Sequence, residues 1–339
     1  VVALGGQGGG SGSKESSGPK LKERRGDGYD FRDPYCLSPK CKVFNVRVCG
    51  SLFNRLYQMA GALWFVENVG ISRVHLYWGN KEGVSTTFGD LFADLPNVDM
   101  KINDKAGNSI PCDSSLGPEA ALNRFANEMP AYILPDAWTV DASGMPTPSS
   151  VEVYADIMKK FLGQLQPSPL VKSALAGLNR RYPFVDAIML VDSWPIEAAS
   201  TSKSSLTLPP ILRALLTADS KDGMNVLYSG SPEAAVFGEV QSLRGRGRVV
   251  RIDHEIETYL RREAQESNER RVQELATVAT IFVAGWTDIF QGTRREGSGR
   301  DASRLALLLW TAKHPEMALA CRHGGTSTLF PCEKGEVAR

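Results

Sequence analysis

Apolar positions along this chain change period in an ordered way. Lys42-Val43-Phe44-Asn45-Val46-Arg47-Val48 alternates and is rich in β-branched residues, which predicts a strand. Leu52, Leu56, Met59, Ala60, Leu63, Trp64 and Val69 then recur at helical spacing, one apolar stripe that Gly70 closes. Val74-His75-Leu76-Tyr77-Trp78 reads as the next strand. Strand, glycine turn, helix and strand make a βαβ unit. Ligands of such units gather at the carboxyl ends of strands, beside helix N-termini, and Asn54 and Arg55 stand there. Their amide and guanidinium can bind a ligand, or Arg55 can be a solvated residue of a plain turn.

Residues 101–150 are irregular, with a short helix expected over Ala120–Met129. Val151–Leu165 carries a clear helical stripe that stops at Gln166-Pro167-Ser168-Pro169, and a further helix is expected over Leu170–Asn179. The period then shortens. Phe184–Val191, Asn225–Ser229 and Arg248–Ile252 read as buried strands. Between and after them, helices are expected over Leu208–Ala218, from Ser231-Pro232-Glu233 onward, over Glu269–Thr287 and over Ser303–Trp310. Alternating strands and helices in both halves predict an α/β chain of two Rossmann-like domains, residues 29–180 and 181–332. Residues 1–28 are Gly, Ser and Lys rich, too poor in large apolar groups to offset ordering entropy, so they are expected to be a flexible tail.

Composition narrows the classes. The chain has 339 residues, 42% hydrophobic and 23% charged, as in ordinary globular proteins. The net charge of +1 gives no field that would recruit nucleic acid or an anionic membrane. The run Arg244–Arg251 has no interleaved aromatic and reads as a solvated loop before a strand, so no nucleic-acid partner is expected. Runs such as Ala187–Val191 and Leu305–Trp310 are too short to span a bilayer, so no membrane span is expected. The chain starts at Val1 rather than Met, as a processed product would, so the lack of a leader excludes nothing. Six cysteines, Cys36, Cys41, Cys49, Cys112, Cys321 and Cys332, permit disulfides, with Cys321–Cys332 the expected local pair. No Cys-x-x-Cys pair supports the rival zinc reading. Disulfides favour a secretory compartment.

The candidate chemistry lies in the second half. Gly292-Thr293-Arg294-Arg295-Glu296-Gly297-Ser298-Gly299-Arg300-Asp301-Ala302-Ser303 joins glycines, arginines and hydroxyls to the start of a helix. Such a loop can cradle an anion or be a solvated surface loop. Asp192 and Glu197 follow the strand ending at Val191. They can position an acceptor or act as base, or Asp192 can simply cap the turn. His254 ends the strand expected at 248–252, where base or ribose contacts form. His75 reads as a satisfied core histidine, and Asp90 as a helix cap.

Gly50-Ser51-Leu52-Phe53-Asn54-Arg55-Leu56, then Leu76-Tyr77-Trp78 and Phe88-Gly89-Asp90-Leu91-Phe92, resemble the opening of fucosyltransferase-like glycosyltransferases of the α1,6-, protein O- and nodulation types. The Leu227–Glu233 strand and turn and the Asp288–Ala306 strand, loop and helix resemble later family elements, in the same order. The resemblance implies a GT-B fold, two Rossmann-like domains facing a cleft, and inverting, metal-independent transfer. It also implies a sugar-nucleotide donor, GDP-fucose, a glycan or glycoprotein acceptor, and a place in the secretory pathway or Golgi lumen. Taken with the residue readings above, the catalytic candidates are Arg55, Asp192 and Glu197. Donor contacts fall to Asn54, His254, Arg294, Arg295, Ser298, Gly299, Arg300 and Ser303, with no metal ligand and no permanently bound cofactor. Two departures stand out. Phe53 occupies a position where a small glycine is commoner, and Leu190–Glu197 lacks the family's H-x-R-x-x-D element, whose Arg holds the donor diphosphate. Other arginines then replace it, or the donor differs, or the chain is a non-catalytic glycan- or protein-binding relative.

Overall fold

The alternation at the start of the chain becomes two paired strands, β1 (Phe44–Arg47) and β2 (Val74–Tyr77), joined by helix α1 (Leu52–Val69). The computed structural model describes residues 43–79, 83–101, 118–124, 138–140, 146–148, 151–192, 208, 210–217, 225–232, 235–244, 249–292 and 299–314. The expected tail, residues 1–28, lies outside them, and the described residues fall in one compact unit. Ser51 caps α1, accepting from the backbone N–H of Asn54, and Gly70 ends it at φ 72°. Thr87 and Asp90 then close a reciprocal capping box on α2 (Phe88–Leu91), so Asp90 does serve the cap. Strand β3 (Val98–Lys101) completes a three-stranded parallel sheet in the order β1-β2-β3.

Helix α3 (Pro118–Asn123) ends earlier than the sequence pattern suggests. An antiparallel pair, β4 (Trp138–Val140) and β5 (Pro146–Pro148), stands in the stretch expected to be irregular. Helices α4 (Val151–Gln164) and α5 (Pro169–Arg181) match the pattern, with Ser168 capping α5. Strand β6 begins only at Ala187 (Ala187–Val191), because Val185 and Asp186 form a turn in which Asp186 takes φ 62°.

The second sheet is parallel and four-stranded. After β6 come α6 (Pro210–Thr217), β7 (Asn225–Ser229), α7 (Ala235–Arg244) and β8 (Val249–Arg251). Helix α7 starts after Ser231-Pro232-Glu233, not within it. A helix the sequence reading missed, α8 (Ile252–Arg262), starts directly on β8 and moves His254 from a strand end into a first helical turn. Then follow α9 (Glu269–Trp286), β9 (Ile289–Gln291) and α10 (Gly299–Lys313). Strand order is β8-β7-β6-β9. Every residue of β6 is buried, as expected of a central parallel strand covered on both faces.

Helix α9 is the common packing partner. Every residue from Glu274 to Gly285 is buried. It packs on α10, α8, α5 and α2, while α10 also packs on α4. A single apolar cluster therefore joins Phe44, Leu56 and Phe88 of the first half to Val191, Phe282 and Trp310 of the second. A smaller cluster around Ile188, Leu190 and Tyr228 fills the other face of the second sheet. Among the described residues no helix is long and apolar enough to cross a membrane. Cys49 is disulfide-bonded. The other five cysteines, with the expected Cys321–Cys332 pair, lie outside the described residues.

One contact sets how closely α1 meets α3. A Cβ on Gly61 would lie 2.1 Å from the Leu122 carbonyl oxygen. Alanine's better helix propensity favours Gly61→Ala by about 1 kcal/mol. Forcing backbone apart costs about 1–3 kcal/mol and should win. Gly61→Ala is expected to lower the urea midpoint; a raised midpoint would contradict this packing.

Candidate functional site

The order of the second sheet selects one edge. The chain passes from β6 to β7 to β8 in one direction, then returns to place β9 on the far side of β6. Where strand order reverses in a parallel sheet, the helices on either side diverge and leave a crevice at the carboxyl ends. Here those ends are Asp192, after β6, and Gln291-Gly292, after β9. Gly292 opens the segment leading to α10. A Cβ at Gly292 would meet Ser303 Oγ at 2.3 Å and the Phe290 ring at 3.2 Å, so glycine lets the strand end lie directly on the helix. Ser303 is buried, and Gln291 donates to the Gly292 carbonyl at 3.1 Å.

Asp192 is buried, and its Oδ2 accepts from the Tyr228 hydroxyl at 3.3 Å. The same hydroxyl faces the Ser231 carbonyl at 3.2 Å, tying the ends of β6 and β7 together. Burial, and then the Asp192 carboxylate, push the Tyr228 phenol far above its ordinary range, so it stays a donor. On the next strand Arg251 donates to Asp253 Oδ2 at 3.2 Å. Burial raises the Asp253 carboxyl, and Arg251 opposes that rise. His254 beside it is exposed.

The carboxyl end of the first sheet is held differently. Gln58 is fully buried one helical turn after Asn54, and its amide spans both ends of Cys49. It donates to the Cys49 carbonyl at 3.0 Å and accepts from the Cys49 N–H at 3.3 Å. It also donates to Asn54 Oδ1 at 3.0 Å. Arg124 closes the group, donating to Gln58 at 2.8 Å and to the Arg47 carbonyl at 2.7 Å. Arg55 is wholly buried. Its Nε donates to the Gly50 carbonyl at 3.0 Å, its terminal nitrogen donates to the Gly79 carbonyl, and its guanidinium lies 5.2 Å from the centre of the Trp78 ring. The fork thus joins the turn after β1 to the segment after β2, a task suited to a planar donor set.

Of the residues singled out in the sequence, the structure brings Asp192 and Ser303 to the ends of neighbouring strands. Asn54 and Arg55 lie at the carboxyl end of the other sheet, both turned into main-chain and side-chain bonds. His254 sits on α8, at the β8 side. Glu197, Arg294, Arg295 and Ser298 lie outside the described residues, and Gly299 and Arg300 are placed only as the first turn of α10. His75 is satisfied, but on a half-exposed sheet face rather than in the core. Its ring meets Asn45 Oδ1 at 3.2 Å and Asp99 at 3.3 Å, and burial, then Lys101, lower its pKa against the pull of Asp99. Sequence reasoning missed Gln58, Arg124, Tyr228 and Asp253. The Asn54/Gln58 spacing of one helical turn was a usable signal; the others needed the tertiary structure.

No protein-family model matches the chain, and no curated protein matches it. The chain is similar to solved structures of fucosyltransferases. Fucosyltransferase NodZ from Bradyrhizobium shares 13% identity at a TM-score of 0.45, over 80% of this chain and 94% of that one. POFUT1 in complex with GDP-fucose shares 12% at 0.40, over 86% and 97%. A mutant of Arabidopsis thaliana FUT1 in complex with GDP shares 9% at 0.40, over 80% and 69%. A likeness at this level assigns neither activity nor ligand to this chain.

The burial of Arg55 generates a test. Removing a buried charged donor with two carbonyl partners costs about 3 kcal/mol or more. Arg55→Ala is therefore expected to lower the urea midpoint sharply, and Arg55→Lys, whose ammonium cannot span both carbonyls, to recover only part of it. An unchanged midpoint for Arg55→Ala would place the guanidinium outside this packing.

Proposed function

We propose that the chain is a glycosyltransferase of GT-B type that moves a sugar from a sugar nucleotide to a glycan or glycoprotein acceptor. GDP-fucose is the donor that the sequence resemblance implies, and transfer is inverting and metal-independent. The observation that carries this reading is the reversal of strand order at β6, beside a glycine-containing segment that runs from β9 into α10. In this reading residues 181–332 hold the donor. The Gly292–Ser303 segment supplies backbone N–H groups and the positive end of α10, with Arg294, Arg295, Arg300, Ser298 and Ser303, to the diphosphate. His254 lies on the side where base and ribose would rest. Residues 29–180 carry the acceptor, with Asn54 and Arg55 shaping their edge of the cleft.

The chemistry is one displacement. The acceptor hydroxyl oxygen bonds to the anomeric carbon as the bond to the diphosphate oxygen breaks. The hydroxyl proton passes to a carboxylate, Asp192 or Glu197, and the nucleoside diphosphate leaves with the bonding electrons. Held donors at the diphosphate stabilise the charge that develops there. The cysteines support a secretory setting for this activity.

A second reading has its own observation. Asp192 stands at the strand end where a donor-binding Arg belongs in the resembled family, and it is buried against Tyr228. A carboxylate there repels a diphosphate unless the Gly292–Ser303 arginines outweigh it. On that reading the chain is a non-catalytic relative that binds glycan or protein. A panel of sugar nucleotides separates the two. A ligand at about a hundred times its Kd adds about 2.7 kcal/mol, so the melting temperature should rise by several degrees. Transfer predicts a rise with GDP-fucose, plus release of GDP when acceptor glycans are added. No shift with any sugar nucleotide would overturn the transferase reading.

A further inference from the structure

Glu274 is the one acid in the buried, largely apolar stretch of α9 that runs from Glu274 to Gly285. Its carboxylate is itself buried and does not turn toward solvent. It accepts from the Ser85 N–H at 2.9 Å, from the Thr86 N–H at 2.8 Å and from the Thr86 hydroxyl at 2.8 Å. Arg270, one turn earlier, donates to it at 3.2 Å and reaches on to the Gly83 carbonyl. Arg271 pairs with Asp90 at 2.9 Å. Residues 83–90 of the first half are thus held by three side chains from the first two turns of α9, in the second half.

The contact continues inward. The Thr86 carbonyl accepts from the Trp78 indole N–H at 2.9 Å. The Trp78 ring carries the Arg55 guanidinium, and Arg55 holds the Gly50 and Gly79 carbonyls. The path Glu274–Thr86–Trp78–Arg55–Gly50 therefore runs unbroken from α9 to the turn that opens α1. Both of its ends lie at carboxyl edges. Residues 78–87 follow β2. Helix α9 leads directly into β9 and runs back along the sheet, so its first turns point toward the carboxyl end of that sheet.

We infer that Glu274 is a positioning residue that sets the carboxyl edge of the first sheet against that of the second, acting through Thr86, Trp78 and Arg55 on the Gly50–Asn54 turn. The inference rests on the reading that a sugar nucleotide binds at the facing edge. A buried carboxylate suits this task. It must keep its donors, because losing them strands a charge away from water. The two edges therefore hold one separation instead of sampling many. Trp78 passes the constraint on because its indole nitrogen and its ring face are both engaged, one by Thr86 and the other by Arg55.

Amide hydrogen exchange of the free protein and of Glu274→Ala and Glu274→Gln tests the path, with GDP-fucose affinity measured alongside. Local opening sets these exchange rates, so broken contacts appear where they act. Glu274→Ala should speed exchange about tenfold or more in residues 83–87 and also in residues 50–56, while Ala187–Val191 stays as in the wild type. Glu274→Gln, which keeps one carbonyl acceptor, should fall between the two and should still weaken GDP-fucose binding. If Glu274→Ala fails to fold, Glu274→Gln decides by the same pattern. Faster exchange confined to 83–87, or faster exchange throughout, β6 included, would overturn the relay. If the wild type binds no GDP-fucose, the nucleotide reading fails, while the exchange pattern still judges the relay.

Discussion

A carboxylate buried on an otherwise largely apolar helix fixes the geometry of this molecule. Desolvating Glu274 is costly, and the donors of Ser85, Thr86 and Arg270 offset that cost. The Ser85 and Thr86 donors reach it only when the segment after β2 rests against α9. The apolar part of α9 meanwhile packs on helices from both halves. Hydrophobic burial pulls the halves together without direction, and Glu274 supplies the direction. The first sheet, the second sheet and the turns at their carboxyl ends are placed by that pairing.

Much of the fold was legible because its signals are periodic. The α1 stripe, its glycine stop, strand β7 and the limits of α9 follow from spacing and cap chemistry. The misses have physical causes. Helix α8 begins on the residue after β8, with Arg251 at the cap making no side-chain capping bond, so no boundary signal separates strand from helix. Phe184 and Val185 are apolar enough to extend a strand, yet Asp186 at φ 62° turns the chain before pairing begins. The Ser231 carbonyl is engaged by the Tyr228 hydroxyl, a tertiary contact that the sequence does not mark.

The site was less legible than the fold. Sequence marks a turn that carries Asn and Arg, but not which way the side chains face. Arg55 could be read as a ligand contact or as a turn residue, and its fork closes on two main-chain carbonyls over Trp78. Asp192 was found by position alone. Its partner Tyr228 lies in the neighbouring strand, and only the parallel register of β6 on β7 brings Tyr228 near it. Glu274 follows the charged and polar residues that open α9 and carries no mark in the sequence, and its partners Ser85 and Thr86 lie far off along the chain. Polar groups that meet through tertiary contacts leave no periodic trace.

The central claim is that a sugar nucleotide binds where strand order reverses, between the ends of β6 and β9. Amide exchange of the protein with and without GDP-fucose tests it directly, since bound ligand slows local opening. The account predicts slower exchange in residues 292–303 and at Val191–Asp192, with β4 and β5 unaffected. Binding that protects other segments and leaves 292–303 unchanged would contradict it.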